Sequence, residues 1–147
     1  MADLAAFASL VPLDHGLVVV STARADGTIQ SSVVNAGVLD HPLTGQPVVG
    51  LVSAGSSRRL INLRARPRAT VVLRAGWRWA GVEGPIELCG PDDPLGDIDP
   101  ERLRLLLREI FTAAGGTHDD WDEYDRVMAS ERRVAVLVTP ERTYGSG

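Results

Sequence analysis

Residues 47–68 read PVVGLVSAGSSRRLINLRARPR. A short apolar run, Val48 to Val52, ends in five small residues, Ser53, Ala54, Gly55, Ser56 and Ser57, and Arg58 and Arg59 follow at once. Leu60, Leu63 and Arg64 then recur at helical spacing until Pro67 stops the pattern. The segment is a strand that feeds a Ser/Gly turn and a helix start. Such a start presents free backbone N–H groups and the positive end of the helix dipole in one direction. Arginine beside it can grip phosphate oxygens in a fork. The segment therefore reads as a phosphate clamp centred on Arg59, with Ser57 and the amides around 56–58 as its cradle. Arg59 is expected to be exposed and to matter little to stability. An N-cap followed by solvated arginines is the plainer reading of the same residues.

On either side the chain reads mainly as strands. Residues 17–23 are β-branched and apolar, Arg24-Ala25-Asp26-Gly27 is a turn, and 28–39 form the returning strand. Residues 47–53 give a third strand, 69–74 a fourth, 77–89 a fifth bent at Gly81 or Gly84, and 134–139 a last one. Helices are expected over 3–10, 57–65, 100–113 and from an Asp119-Asp120 cap to about residue 132. Neighbouring strands joined by short links, with helices inserted between them, predict a small antiparallel barrel with helices packed outside. They do not predict a parallel sheet.

The chain has 147 residues, which suits one domain spanning 1–147. Net charge is −4, so bulk attraction to nucleic acid or an anionic membrane is not expected. No apolar run reaches the roughly 20 residues that span a bilayer. The first residues lack the basic start of a secretory signal, and a cytoplasmic location is expected. Lysine is absent, which excludes Schiff-base chemistry on a lysine. Cys89 stands alone, so neither an internal disulfide nor a multi-cysteine metal site is available.

Few residues outside 47–68 carry a chemical signal. Along 30–37, alternation puts Ser32, Val34 and Ala36 on one side and Ser31, Val33 and Asn35 on the other. Small residues there allow a flat ring to lie against the strand, as does a plain core strand with a hydrogen-bonded Asn35. Trp77 and Trp79 share a face, either to cover an aromatic ligand or to cap the barrel or a dimer seam. Glu83 and Glu87 lie on that same side and would serve as acids only if buried. His15, His41 and His118 show no ligand spacing, and no metal site is expected. Asp122 and Glu123 are expected to pair with Arg126, and Trp121, Tyr124 and Met128 to pack the last helix. No acid/base dyad stands out, so no catalytic residue is named.

The run S-x-x-x-S-R-R-x-x-N-L-R-x-x-P-R-A, residues 53–69, resembles the phosphate-binding segment of pyridoxamine 5′-phosphate oxidase-like flavoproteins, above all the branch that uses the deazaflavin coenzyme F420. Arg59 stands three before Asn62, where that family usually has Lys. The resemblance continues through 17–24, 30–35, 79–88 and the last strand with Tyr144, and so covers nearly the whole chain. It implies a split β-barrel, mainly β with flanking helices, that pairs as a homodimer with its sites at the seam. Trp77, Trp79 and residues 82–88 are the candidates for that seam. The resemblance also implies an oxidoreductase that passes hydride between F420 and a small unsaturated or conjugated substrate. Cofactor contacts carry over to Ser32, Val33, Val34, Asn35, Ser53, Ser56, Ser57, Arg58, Arg59 and Asn62, with Trp77 and Trp79 as further candidates. Arg58, Arg59 and Arg64 would form a rim for a long anionic tail. An FMN-dependent enzyme of the same fold and a non-catalytic flavin or F420 carrier are the alternatives.

Overall fold

A computed structural model describes residues 3–146. Its strands are β1 (Leu17–Ala23), β2 (Ile29–Asp40), β3 (Pro47–Ser53), β4 (Arg68–Ala75), β5 (Arg78–Cys89), β6 (Val134–Val138) and β7 (Arg142–Gly145). The helices are α1 (Ala5–Leu10), α2 (Arg58–Ala65), α3 (Pro100–Ala113) and α4 (Trp121–Ser130). All pairings are antiparallel. The order β4-β1-β2-β3-β6-β5 closes on itself through β4–β5, giving a six-stranded barrel with β7 added outside the ring. This is the expected antiparallel barrel with external helices.

Each element follows from local chemistry. Asp26 accepts from the Thr28 N–H at 3.0 Å and Gly27 takes φ +85°, which turns β1 into β2. Ser57 caps α2 by accepting from the Leu60 N–H, and Asp99 caps α3 by accepting from the Arg102 N–H. Pro100 supplies a preset φ in the first turn of α3. β6, VAVLV, is buried on both faces. Val134, Val136 and Val138 fill the barrel with Phe7, Leu51, Leu60 and Leu73. Ala135 and Leu137 pack outward under Leu106, Ile110 and Tyr124 of α3 and α4. That double burial explains its unbroken apolar pattern.

Two expectations change. The last strand is not β6: β7 follows it, short and exposed. The pairs expected between Arg126 and Asp122 or Glu123 are absent among the ion pairs of the described residues. Instead Asp125 of α4 takes Arg104 and Arg108 of α3, which ties the two helices together. The packing role of Trp121, Tyr124 and Met128 holds.

His41 shows how the long loop after β2 is held. Its Nδ1 accepts from the N–H groups of Leu43 and Thr44, at 3.1 and 3.3 Å. The proton therefore sits on Nε2, which donates to Glu87 at 2.9 Å. His41→Ala is expected to lower stability by about 1–3 kcal/mol, because it leaves two amides and a carboxylate without their partner. A urea midpoint equal to that of the native protein would contradict this staple.

Candidate cofactor site

The site lies where the barrel opens. Residues 36–40 of β2 pair with β3, whereas residues 29–35 pair with β1. Beyond the Ala36–Leu51 pair the two strands part, and the end of β3 pairs with β6 instead. Arg59, in the first turn of α2, spans the gap. Its Nη1 donates to Ser53 Oγ at 2.6 Å and its Nη2 to Ser32 Oγ at 2.8 Å. Its Nε is buried and has no hydrogen-bond partner. Burial, and then the charge of Arg133, pull its pKa below the usual arginine value.

Arg59 therefore differs from the chain's structural arginines. Arg64, Arg68, Arg104, Arg108 and Arg132 each hold a carboxylate: Asp93, Glu141, Asp125, Asp125 and Asp92. No carboxylate contributes to the environment of Arg59. A buried donor without a partner costs about 1–3 kcal/mol. That cost marks a place where an anionic acceptor is favoured. The expectation of an exposed Arg59 is corrected: the side chain folds back between the strands because Ser32 and Ser53 accept its two terminal nitrogens.

A cavity of about 410 Å³ is bounded by Val34 and Asn35 of β2, Val52 of β3, Phe111 and Tyr124 of the helices, and Arg133, the residue whose charge acts on Arg59; Arg59 itself does not line it. Its size suits a flat ring system. Asn35 Nδ2 donates to the His15 carbonyl at 2.7 Å. Tyr124 donates to the Leu107 carbonyl at 3.0 Å, and burial pushes its pKa up to about 12. A second, polar cleft of about 520 Å³ runs along Ala54, Gly55 and Ser56 to Arg64, Arg132 and Arg133. Asp93, Asp92 and Glu131 offset those three arginines. The cationic rim expected from Arg58, Arg59 and Arg64 is thus not assembled: Arg58 is exposed, Arg59 turns inward and Arg64 is held by Asp93.

From the sequence-derived set the fold joins Ser32, Ser53 and Arg59 by hydrogen bonds, places Val34 and Asn35 on the cavity, and leaves Ser56 on the polar cleft. Ser57 is occupied as a helix cap. Asn62 is buried and donates to Thr22 and Gln30, so its amide links α2 to the first hairpin. Val33 points outward and is 64% exposed. Trp77 is 97% exposed in the β4–β5 turn, and Trp79 packs edge-on against Tyr144. Neither tryptophan borders the cavity or the cleft. Two residues that sequence reasoning missed belong here, Arg133 and His15. Arg133 reaches the cavity because Val134 pairs with Ser53, a pairing between segments 81 positions apart that no local pattern announces. His15 sits in a loop whose only local signal is the following Gly16.

The architecture is that of the pyridoxamine 5′-phosphate oxidase-like split β-barrels. No family model matches the chain. It is similar to the solved structure of a conserved hypothetical protein from Mycobacterium tuberculosis, with 21% identity and a TM-score of 0.68, over 99% of this chain and 84% of that one. A structure described as an F420 reductase matches at 18% identity and a TM-score of 0.61, over 92% and 94% of the two chains. A pyridoxamine 5′-phosphate oxidase-related, FMN-binding protein from Nostoc punctiforme matches at 13% identity and 0.67, over 99% and 84%.

Proposed function

We propose that this chain is an oxidoreductase of the pyridoxamine 5′-phosphate oxidase-like superfamily. It holds a phosphate-bearing flavin-type cofactor, coenzyme F420 in preference to FMN. The observation that carries this reading is the half-buried, acid-free guanidinium of Arg59 with its buried, unpartnered Nε, under the influence of Arg133, which lines a ring-sized cavity. Arg59 and Arg133 would hold the phosphate. Val34, Asn35, Val52 and Phe111 would orient the ring and keep water from it. The bound cofactor supplies hydride chemistry toward a small unsaturated or conjugated substrate. The near-complete match to a structure described as an F420 reductase supports the deazaflavin. The charge-balanced cleft supports FMN as the second reading, since FMN carries no long anionic tail. Titration of the protein with each cofactor, followed by fluorescence, separates them. F420 is expected to bind more tightly. FMN binding tenfold or more tighter, about 1.4 kcal/mol, overturns the deazaflavin assignment, and no binding of either at micromolar concentration overturns the cofactor reading.

The protein is further expected to act as a homodimer in the cytoplasm. Across the outer barrel surface, Val33, Val19 and Val72 align in register and lead to Gly81 and Tyr144. Val19 and Val33 stay uncovered. Val82 and Ile86 point inward, which favours this β2-β1-β4 surface, with Trp79 and Tyr144 at its edge, over residues 82–88 as the seam we propose. Light scattering at micromolar protein is expected to give twice the chain mass, and Val33→Glu to give the monomer. A native monomer in the presence of cofactor contradicts the pairing. No helix of the described residues is long and apolar enough to cross a membrane.

A further inference from the structure

Hydride transfer to a conjugated carbonyl leaves a proton to be delivered, and the cavity lining narrows its source. The polar side chains that border the cavity are His15, Asn35, Tyr124 and Arg133. Asn35 has no proton to give at ordinary pH. Tyr124 already donates to the Leu107 carbonyl, and its burial holds the phenol protonated. Arg133 is held by Glu131, and arginine does not release its proton in proteins. His15 remains. Its imidazole makes no hydrogen bond among the described residues, and histidine is the side chain that ordinarily exchanges a proton between pH 5 and 8.

The backbone at this point is fixed from three sides. His15 has φ +57° and Gly16 φ +64°, two left-handed residues in succession. A Cβ on Gly16 would lie 2.5 Å from the Ala36 carbonyl and 2.9 Å from that of Ala114, so the chain passes tightly between β2 and the end of α3. The Gly16 N–H donates to Val11, its carbonyl accepts from Ala36, and the His15 carbonyl accepts from Asn35. A left-handed conformation outside glycine is strained and persists only where its surroundings impose it. Here they fix the backbone of His15, an exposed residue, at the cavity rim, with its carbonyl on Asn35. The charged or titratable groups around it are Asp14 on its own loop, Arg133 before β6 and Tyr124 on α4.

We propose that the His15 imidazole delivers the proton that completes reduction of an α,β-unsaturated carbonyl substrate at this site. The inference rests on the oxidoreductase reading above. A reduced cofactor held here would supply the hydride for the new C–H bond at the β-carbon, with the C=C electron pair moving to the carbonyl oxygen. The resulting enolate takes the proton from the imidazolium N–H at its α-carbon. Water then returns a proton to His15. That hydride would carry the two electrons the substrate gains.

The test uses the cofactor-loaded protein, His15→Asn and cyclohex-2-en-1-one as the acceptor. Asparagine tolerates the left-handed backbone, so the fold and the Asn35 contact are kept. Native cofactor affinity is expected in the variant, within about twofold. Turnover is expected to fall about 100-fold or more, mainly in kcat. The pH dependence of turnover should differ between the variant and the native protein, and added imidazole should restore part of the rate. Independently of turnover, the His15 ring signals in the NMR spectrum should shift as cofactor is added, while those of His41, buried against Glu87, stay in place. If cofactor does not bind the native protein, the site reading itself fails. If cofactor binds but the His15 signals do not move, or the native protein leaves the enone unreduced, or His15→Asn keeps its rate and pH profile, the assignment of His15 is overturned and the cofactor site stands.

Discussion

Arg59→Met is expected to weaken cofactor binding tenfold to a hundredfold while leaving the stability of the cofactor-free protein within about 1 kcal/mol of native. The first half follows from charge-assisted hydrogen bonds, worth roughly 1.5–3 kcal/mol each, which translate into that range of affinity. The second half follows from the opposing costs of the free site. Arg59 donates to Ser53 and Ser32, and losing those contacts is unfavourable. Yet its guanidinium is half-buried without a counter-charge and its buried Nε has no acceptor, so an apolar side chain of similar length removes a desolvation penalty. The two terms are of similar size and opposite sign. Arg68→Ala is the control, because Arg68 is exposed and pairs with Glu141 across the surface. It should change affinity by less than about twofold. Unchanged affinity in Arg59→Met would show that the phosphate is not held there. A large loss in Arg68→Ala instead would place it at the opposite end of α2.

Local chemistry was legible wherever one segment decides its own shape. The Asp26-Gly27 turn, the Ser57 cap and the Pro100 start of α3 are all read from adjacent residues and are all present. The barrel class was legible too, because strand follows strand with short links. β4 and β5 form a local hairpin, but closure of the barrel depends on register between distant segments, β1 with β4 and β6 with β3 and β5, and the composition of none of these strands announces it. β7 escaped notice because Arg142-Thr143-Tyr144-Gly145 is exposed and carries no apolar alternation. The candidate site divides in the same way. The strand-turn-helix unit around Arg59 is visible in one segment. The inward turn of its side chain is not, since that depends on Ser32, 27 positions away. Arg133 and His15 reach the cavity only through the β3–β6 pairing and the tight passage at Gly16. Trp77 misled for the converse reason: its spacing from Trp79 suggested a shared face, but the chain turns at Gly76 before the strand begins.

Gly84→Ala is expected to be the most damaging single methyl addition in the barrel, costing at least about 3 kcal/mol, while Gly81→Ala on the same strand should change stability by less than about 1 kcal/mol. β5 is shared along one edge by two strands, β6 beside residues 86–89 and β7 beside residues 80–83. The connection between those strands crosses β5 at Gly84. There the Thr139 N–H donates to Pro85 and the Glu141 N–H to Glu83, at 3.0 and 2.9 Å. A Cβ on Gly84 would lie 1.9 Å from the Thr139 carbonyl oxygen. That obstacle is backbone held by hydrogen bonds on both sides, so relief requires separating β6 from β5 and opening the barrel that frames the cavity. At Gly81 the nearest atoms belong to the Tyr144 ring, at 2.5 Å. That ring is exposed at the edge of the molecule and can swing away. Its loss of contact with Trp79 and Glu83 is offset by the reduced freedom of alanine in the unfolded chain. Urea unfolding of both variants decides the matter. A larger loss at Gly81 than at Gly84 would mean that the bend of β5, and with it the closure of the barrel, depends on packing under Tyr144 and not on the crossing at Thr139.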